Sequence, residues 1–153
     1  MAAGVAIRRL GSTDIAAMRA VLRLYAEAFE DTASYLSTPP DDGYLTNLLA
    51  RGDFIQLAAQ SEGRLTGALS AYVLTKFEQA RSEIYIYDLA VAPTHRRQGI
   101  AEAMIGHLRG IASEHGAWVI YVQADRGDWP AVALYTKLGT REDVLHFDIA
   151  PES

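Results

Sequence analysis

The stretch Val91-Ala92-Pro93-Thr94-His95-Arg96-Arg97-Gln98-Gly99-Ile100-Ala101 joins a strand-like run to an amphipathic helix, and its reading decides the fold. An Arg-x-x-Gly-x-Ala turn at a helix start leaves several backbone N–H groups without intrahelical partners, and Gly99 and Ala101 carry almost no side chain to keep a ligand away from them. Arg96, Arg97 and the positive end of the helix add charge, so the turn through Gln98 and Ile100 to Glu102 suits a diphosphate. The same residues also describe a plain helix start with two solvated arginines.

The flanks favour the first reading. Upstream, Glu83-Ile84-Tyr85-Ile86-Tyr87-Asp88-Leu89-Ala90-Val91 has the β-branched and aromatic content of a buried strand, and downstream Ile100, Met104, Leu108 and Ile111 recur at helical spacing. The turn is therefore the strand-to-helix corner of an α/β unit, where nucleotide-type ligands bind. It lacks the Lys-Ser/Thr of a P-loop and the three glycines of a dinucleotide fold, which disfavours both.

Working outward, residues 5–10 read as a first strand, and Ser12-Thr13-Asp14 can cap a helix with Ile15, Met18, Leu22, Tyr25 and Phe29 on one face. Residues 30–42 are loop-like, with Pro39-Pro40 near the end, and 43–50 form a short helix; this part suits one wall of a substrate cleft. Residues 54–60 and 65–74 are two strands joined as a hairpin at Ser61-Glu62-Gly63-Arg64. After the turn the helix runs to about His115, with Gly116 placed to end it, and 117–124 form the next strand. Trp129-Pro130 opens a last helix ending near Gly139, and 144–149 close the sheet. Hairpins first and βαβα afterwards describe a mixed sheet wrapped by helices.

A chain of 153 residues, half of them hydrophobic, is the size of one domain, so 1–153 is expected to be a single unit. No apolar run approaches the roughly 20 residues that span a bilayer. The start Met1-Ala2-Ala3-Gly4-Val5-Ala6-Ile7-Arg8-Arg9 does not read as a secretory leader, and a cytoplasmic location is expected. With no cysteine there is no thiolate nucleophile or zinc-thiolate site, and the histidines at 95, 107, 115 and 146 show no metal spacing. The net charge of −5 argues against nucleic acid as a partner. Arginines dominate near the turn, whereas acids dominate from Asp125 onward, so one region suits a polyphosphate and the other a cation.

Three pieces together, the strand into Arg96-x-x-Gly99-x-Ala101, the strand at 118–124, and Asp128-x-x-Ala131-x-x-Leu134-Tyr135-x-x-x-Gly139, resemble the GCN5-related N-acetyltransferases, which bind acetyl-CoA. More narrowly, residues 71–88, Tyr121-Val122-Gln123-Ala124-Asp125 and His146-Phe147-Asp148-Ile149 resemble the aminoglycoside 3-N-acetyltransferases that confer gentamicin resistance. The resemblance covers about residues 8–149 and implies an α/β (α+β) fold. Its core would be a mixed, mostly antiparallel central sheet flanked by about four helices. It also implies acetyl-CoA as co-substrate without a metal, a polycationic aminoglycoside as partner, and a homodimer. The chain departs from the superfamily pattern at Asp128, often Asn, and at Thr140, often Phe.

Acetyl transfer to an amine requires holding the thioester, freeing the amine of its proton and protonating the thiolate. The resemblance implies that Leu89, Ala90 and Val91 splay from the next strand and hold the pantetheine arm, with an N–H near Leu89 or Ala90 polarising the carbonyl. It gives Tyr135 the general-acid role, the alternative being a core aromatic. Asp88 is the first candidate to accept the amine proton or orient the amine, Glu83 or a water the second, and a locally satisfied strand acid the alternative. Asp125, Asp128, Glu142 and Asp148 can attract a polycation, the alternative being solvated surface, and Tyr85 and Tyr87 can pack on sugar faces or equally in the core or cleft wall. The expected function is thus acetylation of the 3-amino group of a 2-deoxystreptamine aminoglycoside. Another polyamine or small basic metabolite, or a non-catalytic CoA-binding regulatory domain, are the alternatives.

Overall fold

The computed structural model describes residues 4–153. Met1, Ala2 and Ala3, where the leader reading begins, lie outside the described residues. The elements run β1 (Val5–Arg9), α1 (Ile15–Ala28), α2 (Thr32–Leu36), α3 (Asp42–Ala50), β2 (Phe54–Ser61), β3 (Arg64–Thr75), β4 (Ser82–Val91), a 3-10 turn (Pro93–His95), α4 (Ile100–Glu114), β5 (Ala117–Val122) and α5 (Trp129–Leu138). They fall into two compact units, Met1–Gln123 and Ala124–Ser153.

The first unit holds the sheet, in the order β1-β2-β3-β4-β5. The first three pairings are antiparallel and β4 to β5 is parallel, so the mixed, mostly antiparallel reading holds. The β2–β3 hairpin closes through Glu62 and Gly63, whose φ of 52° and 75° give the left-handed pair that a tight two-residue turn needs. The β4–β5 crossover is α4, which buries Ile100, Met104, Leu108 and Ile111, together with Ile105 and Ala112. Gly116, at φ 62°, follows its end.

The opposite face is covered by α1 and α3. On α1 the buried set is Met18, Val21, Leu24, Tyr25 and Ala26, so the stripe expected through Leu22 and Phe29 is displaced. Met18 and Tyr25 of that stripe are buried and Ile15 packs at the core's edge, while Val21 and Leu24 fill the positions between and Phe29 is exposed at the helix end. Asp14 stands at the cap position of α1 without capping it: its carboxylate instead accepts the Gly11 amide at 2.7 Å and pairs with Arg8 at 3.0 Å. The segment read as loop contains α2, because the Asp31 carboxylate accepts the Ser34 amide and caps one short turn. Five α-helices are therefore found among the described residues where about four were expected.

The second unit holds α5, opened by Asp128 and by Pro130 in its first turn. Residues 140–153 carry no regular secondary structure, which corrects the expected closing strand at 144–149. Alternating apolar residues read as a strand, but a strand also requires a partner edge to take its N–H and C=O groups. Val144, Leu145, Phe147 and Ile149 are accordingly exposed.

Candidate active site

Simple alternation along β4 would place Ile84, Ile86, Asp88 and Ala90 on one face. The register prevents this: Ala71 pairs with Ile86 but Ser70 pairs with Asp88, so Tyr87 is an extra residue, a β-bulge at mid-strand. Gly67 lies against Met104 and Ile100 of α4, so the odd residues of β3 and their partners Ile84 and Ile86 face that helix. Beyond the bulge the sense changes, and Asp88 joins Ser70 on the α1 side.

Asp88 is held there by two layers of phenols. Tyr35 of α2 donates to Asp88 Oδ2 at 2.7 Å, and Tyr25 of α1 lies beneath, its hydroxyl 2.9 Å from Ser70 Oγ. Ser70 donates to the buried Gln56 side chain, whose amide donates to the Leu57 and Leu69 carbonyls at 3.0 and 3.1 Å. Burial raises the Asp88 carboxyl above its ordinary value, and the Tyr35 hydrogen bond pulls it partly back. Asp88 is therefore a better proton acceptor than a solvated aspartate while still able to ionise.

Beside Asp88 runs a row of aromatic rings. Phe54 and Tyr72 lie 5.3 Å apart between centroids, Tyr72 and Tyr87 6.0 Å, Tyr87 and Tyr85 5.9 Å, and Tyr85 stacks on Tyr121 at 4.8 Å. Tyr87 is 63% exposed, so it presents a ring surface to solvent rather than filling core. The Tyr85 hydroxyl donates to Gln123 Oε1 at 2.8 Å. Glu83 is engaged differently: it accepts the Trp118 indole N–H at 3.1 Å and lies 3.7 Å from Lys76 Nζ. Those ties favour a structural role for Glu83 over proton transfer.

Leu89, Ala90 and Val91 follow the bulge. The parallel pairing with β5 ends at Ile86 and Val122, so among the described residues these three bond a neighbouring strand on the β3 side alone. A main-chain edge open in this way can accept an extended arm as an added strand.

At the turn, Gly99 has φ 78° and Arg97 has φ 63°. Left-handed residues that alternate with others are the backbone pattern of an anion nest, and Arg97 and Gly99 flank Gln98 in that spacing. The first intrahelical bond is from Ala103 N–H to the Gly99 carbonyl at 3.0 Å, so the amides of Gly99, Ile100 and Ala101 precede the helical ladder. A side chain adopts left-handed backbone at a cost of about 1–2 kcal/mol, which Gly99 avoids and Arg97 bears. The residues thus fit the diphosphate of acetyl-CoA. Arg96 Nε donates to the Val91 carbonyl at 3.2 Å and ties the turn to its strand, while Ile100, 1% exposed, anchors the helix start. Gln98 is exposed, and Glu102 sits in the first turn of α4, where a carboxylate complements the dipole.

In the second unit Asp128 caps α5, its carboxylate accepting the Ala131 amide at 3.3 Å. This is helix-capping work that its expected substrate role did not include. Tyr135 is half-buried on α5; desolvation, with the Asp128 charge adding, pushes its phenol up to about 12. Asp148 pairs with His146 at 2.9 Å, and Asp125 and Glu142 are exposed. Among the described residues no cluster of His and acidic side chains could hold a metal, and no helix is long and apolar enough to cross a membrane.

The sequence profile of the acetyltransferase (GNAT) family matches residues 18–140. The chain belongs to this family. An aminoglycoside acetyltransferase, HMB0005 from an uncultured soil metagenomic sample, is 48% identical with a TM-score of 0.95, over 99% of this chain and 100% of its own. A second, meta-AAC0020, also from an uncultured soil metagenomic sample and solved in complex with sisomicin, is 30% identical with a TM-score of 0.90, over 97% of each chain. The ribosomal protein bS18 alanine N-acetyltransferase of Escherichia coli K12 is 26% identical over 85 residues, 56% of either chain. The chain thus spans about half the length of the curated relatives it matches.

The sequence singles out neither Tyr35 nor Tyr72, presents Tyr25 only as part of an apolar helix face and Tyr121 only within a motif, and gives no sign of the Tyr25–Ser70–Gln56 network. Tyr121 carried a signal, since it lies in a quoted motif; Tyr35 carried none, being 53 residues from Asp88 in a segment read as loop.

Proposed function

We propose that this protein transfers an acetyl group from acetyl-CoA to an amino group of an aminoglycoside, the 3-amino group of the 2-deoxystreptamine ring, and so confers resistance. The observation that carries the reading is the Asp88 carboxylate, turned by a bulge onto the same face as a row of tyrosine rings. A carboxylate beside ring faces is what a polycationic sugar needs: charge for its ammonium groups and flat apolar surface for its rings. The likeness to two aminoglycoside acetyltransferases along nearly the whole chain supports it.

Acetyl-CoA supplies an activated acyl group as a thioester. Backbone amides at Gly99, Ile100 and Ala101 hold its phosphates, and the open edge at Leu89, Ala90 and Val91 lines up the arm. Asp88 takes a proton from the acceptor ammonium, directly or through water, so that the neutral nitrogen can attack the acyl carbon. As the N–C bond forms and the C–S bond breaks, Tyr135 gives its proton to the sulfur, the nitrogen sheds its surplus proton to solvent, and the phenolate takes one back from solvent; a phenol pushed up to about 12 carries its proton at neutral pH before and after the step. Asp125, Glu142 and Asp148 add long-range attraction for a cation. A cytoplasmic location and a homodimer complete the reading, the latter supported by the exposed Val144, Leu145, Phe147 and Ile149.

Thiol release from acetyl-CoA, measured with gentamicin, sisomicin, kanamycin, spermidine and a peptide with amino-terminal alanine, tests it. Release with the aminoglycosides and a mass gain of one acetyl group support the proposal, and NMR of the product identifies the nitrogen. Turnover of spermidine or peptide alone overturns the substrate class. Binding of CoA without release from any acceptor leaves a regulatory domain.

A further inference from the structure

Tyr35 sits on α2, a single short turn whose placement depends on local contacts. Its ring packs against Tyr25 and Phe29, with centroids 5.7 and 5.8 Å away, and those two stack on each other at 5.5 Å, so a triangle of rings seats the phenol and limits its direction. That direction ends on Asp88 Oδ2 at 2.7 Å, across 53 residues of chain. Among the described residues Oδ1 takes no hydrogen bond, which leaves it as the acceptor for an incoming ammonium. A carboxylate on a strand can rotate about its terminal torsion, which is broad and two-fold, so one fixed oxygen decides where the other points.

We infer that Tyr35 is a positioning residue, its hydroxyl locking Oδ2 of Asp88 so that Oδ1 faces the acceptor amine. The inference rests on the reading of Asp88 as the group that takes the amine proton. The ionisable groups that act with Asp88 are Tyr35 from α2, Tyr25 from α1, Tyr72 from β3 and Tyr85 from β4. All four are phenols raised further by burial, so none changes charge near neutral pH, and the acid limb of activity reports Asp88. Tyr35 donates to the ionised carboxylate and so favours it; without that bond burial acts unopposed, and the limb must move to higher pH.

The test is the pH dependence of kcat/KM for gentamicin acetylation by the wild type, Tyr35→Phe, Asp88→Asn and the double variant. Phenylalanine keeps the ring packing and removes only the hydroxyl. A hydrogen bond to a charged group is worth roughly tenfold or more, so Tyr35→Phe should lower kcat about tenfold, leave KM for acetyl-CoA unchanged and raise the acid limb by about one pH unit. In the Asp88→Asn background the same change should cost nothing further. Phe29→Leu, which disturbs the same rings and spares the hydroxyl, should leave the limb in place. The inference is overturned if Asp88→Asn is inactive while Tyr35→Phe keeps the wild-type profile, or if Phe29→Leu shifts the limb equally. Wild-type turnover by Asp88→Asn would instead remove the reading of Asp88 itself.

Discussion

Gly67→Ala tests whether the position of the α4 start controls coenzyme binding. A Cβ at residue 67 would come 3.0 Å from Met104 Cε, 3.1 Å from Ile100 Cγ2 and 3.4 Å from the Ala90 carbonyl oxygen. Carbon–carbon contacts are comfortable at about 3.5–4.0 Å, so both α4 side chains must retreat by roughly half an ångström. Met104 ends in a flexible thioether and can do so. Ile100 is β-branched, 1% exposed and the first residue of α4, so it moves only if the helix start moves. Overpacking of this kind costs about 1–3 kcal/mol, and relief from Met104 puts the expectation near the lower end, a Tm about 2–4 °C below wild type at this size. The amide of Ile100 belongs to the proposed phosphate nest, so Kd for CoA should rise about three- to tenfold, roughly 1 kcal/mol. Scanning calorimetry of the free protein and titration calorimetry with CoA measure the two effects separately. Adding Ile100→Leu removes the conflicting γ-methyl and should recover CoA affinity. A lowered Tm with wild-type CoA affinity, or an affinity loss that Ile100→Leu leaves untouched, would refute the link between helix start and coenzyme.

Asp88→Asn should lower turnover and yet raise stability at pH 7. Because burial raises the folded carboxyl above its unfolded value, the stability that Asp88 contributes is full below the unfolded value and is lost as pH rises through the folded one. Asparagine carries no such penalty, so the Tm advantage of the variant should shrink as pH falls toward 4 in a thermal melt series. Tyr135→Phe should reduce kcat on the order of a hundredfold with little change in KM for acetyl-CoA, and wild-type turnover would take Tyr135 out of the chemistry. Tyr121→Ala removes the ring stacked on Tyr85 at 4.8 Å; with such pairs worth about 0.5–1.5 kcal/mol, KM for gentamicin should rise two- to tenfold while KM for acetyl-CoA stays constant.

Most of the sheet was legible because each strand carried a local signal: β-branched and aromatic runs, and the Glu62-Gly63 turn. The strand-to-helix turn was legible because its left-handed backbone writes itself into Gly99. What escaped was set by contacts between distant residues. Residues 144–149 alternate as a strand does, but alternation says only that one face is apolar, not that an edge is there to receive it. Asp128 is a local exception: its carboxylate bonds the amide three residues on, a use that acidic residues find at helix starts and that the charge alone does not signal. Tyr35 was invisible because its partner lies 53 residues away.

The bulge at Tyr87 does hold a sequence clue. If the alternation of Ile84 and Ile86 continued, Asp88 would be a lone carboxylate facing α4 among isoleucines, a burial that costs several kcal/mol without a partner. Either the acid is unpaired in core or the strand breaks its alternation there, and the second is far cheaper. The break then does three things along one strand. It turns Asp88 toward the phenols of α1 and α2, it keeps Tyr85, Tyr87 and Asp88 on one face, and it coincides with the loss of β5 pairing that opens the edge at Leu89 to Val91. Strand rise is about 3.3 Å per residue, so Val91 lies only about 10 Å beyond Asp88, and the turn that follows begins at once. The proposed proton acceptor, the open edge and the proposed anion nest follow one another along a single run of chain, so covalent spacing sets their order, while contacts from β3, α1 and α2 trim each one's orientation. A one-residue insertion between Asp88 and Gly99 would disturb all three, whereas the same insertion in the Lys76–Arg81 connection would disturb none.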